Sequence, residues 1–231
     1  MDFLENKFFL LAITFGFFFV SKLLQKKTGW VLLNPILLAV AMLICFLKVS
    51  GVSYEKYQDA GSLVEFWLRP AVVALGVPLY LQLRMIKKQL LSIILSQLAG
   101  CVVGLISVTV VAKLLGATPE VIMSLAPKSV TTPIAMEVSS AVGGIPSLTA
   151  AVVIVVGLFG AIFGFKVLQV GHVHSPIAQG LSMGTATHAV GASRAMEVSG
   201  KYGAYASLGL TLNGILTALL SPYILHLIGL Y

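Results

Sequence analysis

Two polar stretches interrupt an otherwise apolar sequence, and their residue types are suited to binding a small anion. The first, residues 127–133, reads PKSVTTP. Pro133 has no N–H to donate and crowds the carbonyl four residues earlier, so a helix is not expected to continue through it. A helix with Thr132 as N-cap and Pro133 at its first position would direct free N–H groups towards an anion, and Lys128 would add a positive charge.

The second stretch, residues 184–197, reads GTATHAVGASRAME and combines hydroxyls with a histidine. A histidine side chain ordinarily titrates near physiological pH, so His188 is predicted to be a proton site. The pentapeptide AMEVS begins at residue 135 and again at residue 195. The same offset of sixty residues places His188 opposite Lys128. Either the two stretches are copies within an internal repeat, as in many transporters, or a biased composition has repeated a pentapeptide by chance.

The composition requires these stretches to lie in a membrane protein. The chain has 231 residues, of which 58% are hydrophobic and only 10% are charged, whereas soluble proteins average about 25% charged residues. Apolar tracts near or above the roughly 18 residues that cross a bilayer recur throughout. The net charge of +7 is dispersed over short loops, which argues against nucleic-acid binding. We therefore predict an all-α, polytopic transmembrane protein.

Eight tracts are expected, which gives about seven or eight membrane segments in a single domain, 1–231. We predict N-terminal spans in 1–118 and a C-terminal half in 119–231, whose two polar tracts are broken or re-entrant. The charged residues 54–59 are predicted to form a loop. The tracts are 8–24, 31–49, 63–83, 90–115, 119–142, 148–170, 176–199 and 203–230.

Basic residues in the first and third loops predict the orientation. Short loops rich in lysine and arginine usually remain in the cytoplasm, and these two loops are two crossings apart. The N-terminus is therefore expected outside. The residues concerned are Lys22, Lys26, Lys27, Arg84, Lys87 and Lys88.

The polar stretches define a predicted binding site for a small carboxylate, with no metal and no cofactor. Charge balance is assigned to Glu137, Arg194 and Glu197. Structural interpretations remain open: Pro133 would only kink a helix, the hydroxyls would bond their own backbone, and Arg194 would pair with Glu197, as Glu65 would with Arg69. The predicted substrate-binding residues are Lys128, Ser129, Thr131, Thr132, Pro133, Thr185, Thr187 and His188.

Long motifs resemble the LrgB and CidB family of bacterial membrane proteins, and the CidB branch more closely. The resemblance covers nearly the whole chain and implies the bacterial plasma membrane. It is carried by LNP at 33–35, RPAVVALGVPLY at 69–80, APKSVTTPIAMEVS at 126–139, GGIPSLTA at 143–150 and AQGLSMGTATHAVGASRAMEVSG at 178–200.

The resemblance implies two alternative functions. One is that of a holin-like or antiholin-like protein that modulates murein hydrolase activity, lysis and programmed cell death with a small partner of the CidA or LrgA type. The other is transport of small organic acids such as pyruvate or glycolate. Broken helices with buried basic groups suit a carrier better than a pore, so we predict a non-enzymatic, homodimeric carrier of monocarboxylates, with coupling to protons left open.

Overall fold

The computed structural model describes residues 4–29, 33, 35–67, 70, 80, 87 and 89–230, and all regular secondary structure in these ranges is helical. The prediction of an all-α protein is therefore confirmed. The helices are α1 (Lys7–Thr28), α2 (Pro35–Ser50), α3 (Tyr54–Glu65), α4 (Leu90–Leu114), α5 (Pro119–Leu125), α6 (Thr132–Ala141), α7 (Pro146–Val170), α8 (Pro176–Val198) and α9 (Gly200–Leu227).

Four of these helices, α1, α4, α7 and α9, are long and apolar enough to cross a membrane. The helix α2 is apolar but shorter, and α5 and α6, with 7 and 10 residues, fall well below the roughly 20 residues of a full span. The predicted tract 63–83 lies almost wholly outside the described residues. The described part of the chain therefore supports a membrane protein but does not confirm seven or eight crossings or re-entrant segments.

Prolines mark where several helices begin. Pro35, Pro119, Pro146 and Pro176 are the first residues of α2, α5, α7 and α8. Proline suits this position because its missing N–H would have no partner within the helix and its ring fixes a helical φ. The apolar tracts are therefore divided into helices at positions visible in the sequence.

Residue contacts group the chain into two units, Met1–Ala71 and Val72–Tyr231. In the first unit α1 packs against α2 and α3, and Leu10, Val52 and Ala60 form its buried core. An ion pair joins Lys7 to Asp59 at 2.7 Å.

The charged residues 54–59 form part of α3 and are not a loop, so this prediction is wrong. Ser53 caps the helix by accepting a hydrogen bond from the Lys56 N–H. Lys56 also pairs with Glu5, and the Tyr57 hydroxyl lies 3.1 Å from that of Thr14. Contacts with α1 therefore stabilise α3, whose charged sequence had led to the prediction of a loop.

In the second unit α8 and α9 approach closely because glycines lie between them. A Cβ atom at Gly184 would overlap the Ala206 carbonyl, and one at Gly209 would lie 2.6 Å from the Leu181 carbonyl oxygen. Small residues allow membrane helices this proximity, which increases their van der Waals contact. The polar, glycine-rich sequence of α8 is therefore suited to packing inside the unit.

Hydroxyl groups fasten the α5–α6 segment to α7. The Thr149 hydroxyl donates to the Ser124 carbonyl at 2.9 Å and lies 2.8 Å from the Ser139 hydroxyl. The Ile145 N–H donates to the Ser124 hydroxyl at 2.7 Å. All three hydroxyl side chains are fully buried, so these bonds compensate for lost solvation and fix both short helices.

Candidate binding site

The first polar stretch interrupts a helix, as its prolines and hydroxyls predicted. The chain leaves α5 at Leu125 and re-enters a helix at Thr132. Thr131, and not Thr132, is the N-cap, and Pro133 is the second helical residue. The cap was predicted one residue too late because proline is tolerated at either of the first two positions, where an N–H has no helical partner.

The second polar stretch contains a break inside α8. Thr187 (φ −131°, ψ 16°) and His188 (φ 43°, ψ −142°) leave the helical conformation. A positive φ is uncommon for a residue with a side chain. His188 is buried, and its Nε2 lies 2.8 Å from the Val153 carbonyl oxygen on α7. Because a carbonyl can only accept, the proton must be on Nε2.

Glycines on α7 make room for this break. A Cβ atom at Gly157 would lie 2.6 Å from the His188 ring, and one at Gly160 would overlap the Thr187 side chain. The threonine and histidine are therefore held directly against the α7 backbone. The His188 ring therefore lies between α8, to which it belongs, and α7.

Asn213 on α9 connects the two breaks. Its Nδ2 donates to the Ser129 carbonyl at 3.3 Å and to the Thr185 carbonyl at 2.9 Å. The amide orientation is determined by these partners, because both are acceptors and only the NH₂ group can donate. Asn213 is 1% exposed, so the two polar stretches meet in the interior of the unit.

A cavity of about 560 Å³ lies beside this junction. It is bordered by α4, the first break and α8, and Lys128 is the only charged side chain among its described lining residues. The neutral polar residues that line it are Gln89, Ser92, Ser96, Gln97, Ser129, Ser175, Ser182 and Thr185.

Lys128 is partly buried and donates to the Ser129 hydroxyl at 2.9 Å. Among the ion pairs formed by described residues, none involves Lys128. An amine in a membrane interior is costly unless it is paired or hydrated. The cavity therefore offers a positively charged group to which a carboxylate is the natural partner.

The structure brings three of the predicted binding residues to the cavity, namely Lys128, Ser129 and Thr185. Thr187 instead lines a separate apolar pocket of about 300 Å³ between α7 and α8, and the His188 Nε2 is bonded to α7. The predicted residues Thr131, Thr132 and Pro133 form the start of α6 and are not among the residues lining either space. The predicted binding roles of all eight residues stay predictions.

Two functional candidates escaped the sequence prediction, Gln97 and Asn213. The Thr185 hydroxyl lies 2.7 Å from Gln97 Oε1 and also 2.7 Å from the Leu181 carbonyl. Gln97 is 2% exposed and lines the cavity. Gln97 and Asn213 each place an amide side chain in an otherwise apolar span. This polar exception was the sequence signal that could have identified them.

The residues assigned to charge balance lie near the surface. Arg194 pairs with Glu197 at 2.7 Å, and the exposed fractions of these side chains are 43% and 65%. This is the local pair that the structural interpretation expected. Glu137 is also exposed. Glu65 and Arg69 were predicted to pair, but the Glu65 side chain and Arg69 lie outside the described residues.

Metal ligands were not expected. The rings of His172 and His174 have centroids 6.3 Å apart. Within the described residues, no cluster of three or more histidine, cysteine, aspartate or glutamate side chains could hold a metal ion.

The apolar helices, the interrupted helices and a cavity with a partly buried amine together indicate a helical membrane protein. Residues 14–227 match the LrgB-like family, and the chain belongs to it. This confirms the resemblance of the sequence motifs. No solved structure matches the chain.

Relatives match this chain over 90% or more of their own length. The holin-like protein CidB of Staphylococcus epidermidis is 36% identical over 94% of this chain and 95% of its own. An uncharacterised protein of Haemophilus influenzae is 38% identical over 93% of this chain and 92% of its own. The antiholin-like protein LrgB of Bacillus cereus is 36% identical over 90% of each chain.

Proposed function

We propose that this protein acts in the bacterial plasma membrane as a holin-like or antiholin-like protein. The observation that carries the proposal is its 36% identity with holin-like CidB over 94% of the chain. Similarity to antiholin-like LrgB supports the same class. In this function the protein modulates murein hydrolase activity and lysis, together with a small membrane partner of the CidA or LrgA type.

The cavity favours a second function, transport of small monocarboxylates of the pyruvate and glycolate class. The names of the relatives support the holin-like function better, whereas the specific observation in favour of transport is the Lys128 amine in a cavity of about 560 Å³. A lesion-forming protein has no evident need for a partly buried amine in a cavity that hydroxyls and amides also line. Carriers often place such a site between interrupted helices.

In the carrier function the Lys128 ammonium attracts the carboxylate, and the Ser129 hydroxyl, which accepts from Lys128, donates its own proton to a carboxylate oxygen. The Gln97 NH₂ group supplies a further donor from α4, and its Oε1 is held by the Thr185 hydroxyl of α8. Charge-assisted hydrogen bonds are stronger than neutral ones. Selectivity for an anion with one charge is expected, because Lys128 is the one charged side chain among the described residues that line the cavity.

The two functions are compatible if transport changes metabolism or the proton-motive force and thereby affects lysis. Coupling to protons, a homodimer and an N-terminus outside the cell belong to the same proposal. Lys22, Lys26 and Lys27 were predicted in a loop but lie at the C-terminal end of α1, and they support that orientation through the positive-inside rule.

Reconstitution into liposomes distinguishes the two functions. The vesicles contain the purified protein, with or without a CidA-type partner, and an entrapped large fluorescent dye. Saturable uptake of labelled pyruvate or glycolate with retention of the dye would support the carrier. Dye release without saturable uptake would support a holin-like pore and overturn the carrier. Suppression of partner-induced dye release would support the antiholin-like function. No flux under any of these conditions would contradict both membrane-permeability functions.

A further inference from the structure

We propose that Asn213 is a positioning residue that links the two helix breaks through its hydrogen bonds, so that Ser129 and Thr185 change position together at the cavity. The part concerning transport rests on the carrier function proposed above. The structural part does not, because it follows from the hydrogen bonds of one buried side chain.

The amide of Asn213 is the shared donor of both breaks. The peptide carbonyls of Ser129 and Thr185 belong to segments separated by 56 residues, and both accept from the same NH₂ group. At helix breaks, carbonyls lose their regular partners. The Thr185 carbonyl lies two residues before the non-helical Thr187, and Ser129 lies between α5 and α6. One side chain therefore satisfies acceptors from both interrupted segments.

The equivalent position of the other polar stretch makes a corresponding contact. Sixty residues before Asn213 is Val153 on α7, and its carbonyl is the partner of His188. Sixty residues before His188 is Lys128, the neighbour of Ser129. Each break therefore contacts the long helix that follows the other break: the helix positions, 153 and 213, are equivalent, and the break positions, 129 and 188, differ from the offset by one residue.

Packing around the breaks shows the same offset. Ser124 of α5 bonds to Thr149 of α7, and their equivalents at 184 and 209 are glycines at the close contact between α8 and α9. These paired contacts support an internal repeat over a chance recurrence of AMEVS. One connecting residue can couple both breaks because both place a carbonyl within hydrogen-bond distance of Asn213.

Coupled breaks predict coupled accessibility. Thiols are introduced one at a time by Ser129→Cys and Ala186→Cys, both at residues lining the cavity, in a chain carrying Cys45→Ser and Cys101→Ser. Labelling with a small hydrophilic maleimide is then measured with Asn213 intact and with Asn213→Leu, which keeps a similar volume and removes both donors. We expect labelling to accelerate about tenfold at both positions, as the loss of two ordinary hydrogen bonds would allow.

Thr211→Val is the matched control. Thr211 is buried on the same helix, but its hydroxyl donates to the Ser207 carbonyl within α9. We expect no change in labelling for this variant. Acceleration at only one position, or at neither, would overturn the coupling, and equal acceleration in both variants would show a merely structural effect. Expression and monodispersity in detergent identify variants that fail to fold.

A transport measurement then separates this inference from the proposed function. If wild-type protein takes up pyruvate saturably, we expect Asn213→Leu to lower the maximal rate more than it raises KM, because Asn213 positions the breaks and does not line the larger cavity. An increase in KM alone would contradict a positioning role. If wild-type protein shows no saturable uptake, the carrier function fails while the labelling result still decides the role of Asn213.

Discussion

At the scale of single residues, Lys128 is the one charged side chain among the described residues that line the cavity. Its amine contacts the Ser129 hydroxyl, and no described ion pair neutralises it. Lysine is a mobile point charge with three donors and can follow a carboxylate through small movements. Burial removes the electrostatic stabilisation that water gives the amine. An anion bound in the cavity would restore it.

Replacing this charge tests the site directly. Lys128→Met keeps the length of the side chain, and we expect uptake of labelled pyruvate at low concentration to fall roughly 10- to 100-fold, the range for losing a hydrogen bond to a charged group. Lys113→Met is the control, because Lys113 is exposed and donates to the Ile228 carbonyl away from the cavity. Similar losses in both variants would contradict a specific role for Lys128.

His188 combines a useful hydrogen bond with an unfavourable backbone conformation. Its φ of 43° suits glycine, whereas its ring bonds to α7. We expect His188→Gly to be more stable than His188→Ala by about 1 kcal/mol, since both lose the ring but only alanine retains the strain. Denaturing-detergent titration followed by circular dichroism measures the difference. In an ordinary helix interior, a glycine variant is less stable than an alanine variant by a similar amount. A His188→Gly variant less stable than His188→Ala would therefore refute strain at this position.

At the scale of helices, the two breaks differ in how they could be foreseen. Pro133 and its neighbouring hydroxyls identify the first, because proline prevents a helix from continuing. The second contains no proline, and its glycines at 184 and 191 only permitted a bend. The kink at Thr187 and His188 depends on glycines of α7 that lie far away in sequence. Local pattern therefore predicted an irregular segment but not its conformation.

Close helix packing gives a prediction for α8 and α9. A methyl group at Gly184 would overlap the Ala206 carbonyl, and backbone can give way less readily than a flexible side chain. We expect Gly184→Ala to destabilise the protein by about 1–3 kcal/mol, the usual range for overpacking. Gly16→Ala in α1 is the matched control, since nothing lies within 4 Å of its added Cβ. Its stability, measured in the same detergent titration, is expected to remain equal or rise slightly. Equal effects of the two variants would rule out the α8–α9 contact as the cause.

At the scale of the whole molecule, sequence predicted the class of protein and most helices, because hydrophobic tracts long enough for a bilayer are a strong local signal. It also singled out both interrupted segments. It could not predict that they meet at Asn213, since that contact depends on how α9 packs between them. The predicted site consequently included Thr131, Thr132 and Pro133 but omitted Gln97, which faces the cavity from α4.

The orientation in the membrane is a prediction for the complete chain. Asn6 caps α1, and Lys26 and Lys27 lie in its last turn, so the basic end of this span is expected to face the cytoplasm. A peptide tag at the N-terminus should be accessible to an antibody in intact spheroplasts, whereas a cysteine at position 27 should react with an impermeant maleimide only after lysis.

Substituting the lysines at the end of α1 tests the cause of this orientation. Changing Lys22, Lys26 and Lys27 together to glutamine removes the basic end of α1 while leaving the span apolar. We expect a fraction of molecules to hide the tag, because the bias in positive charge sets the orientation of short loops. The matched control carries Lys166→Gln and Lys201→Gln, which lie in α7 and α9, and should retain full accessibility. A tag hidden in the unaltered protein would reverse the assigned orientation and place the basic end of α1 outside.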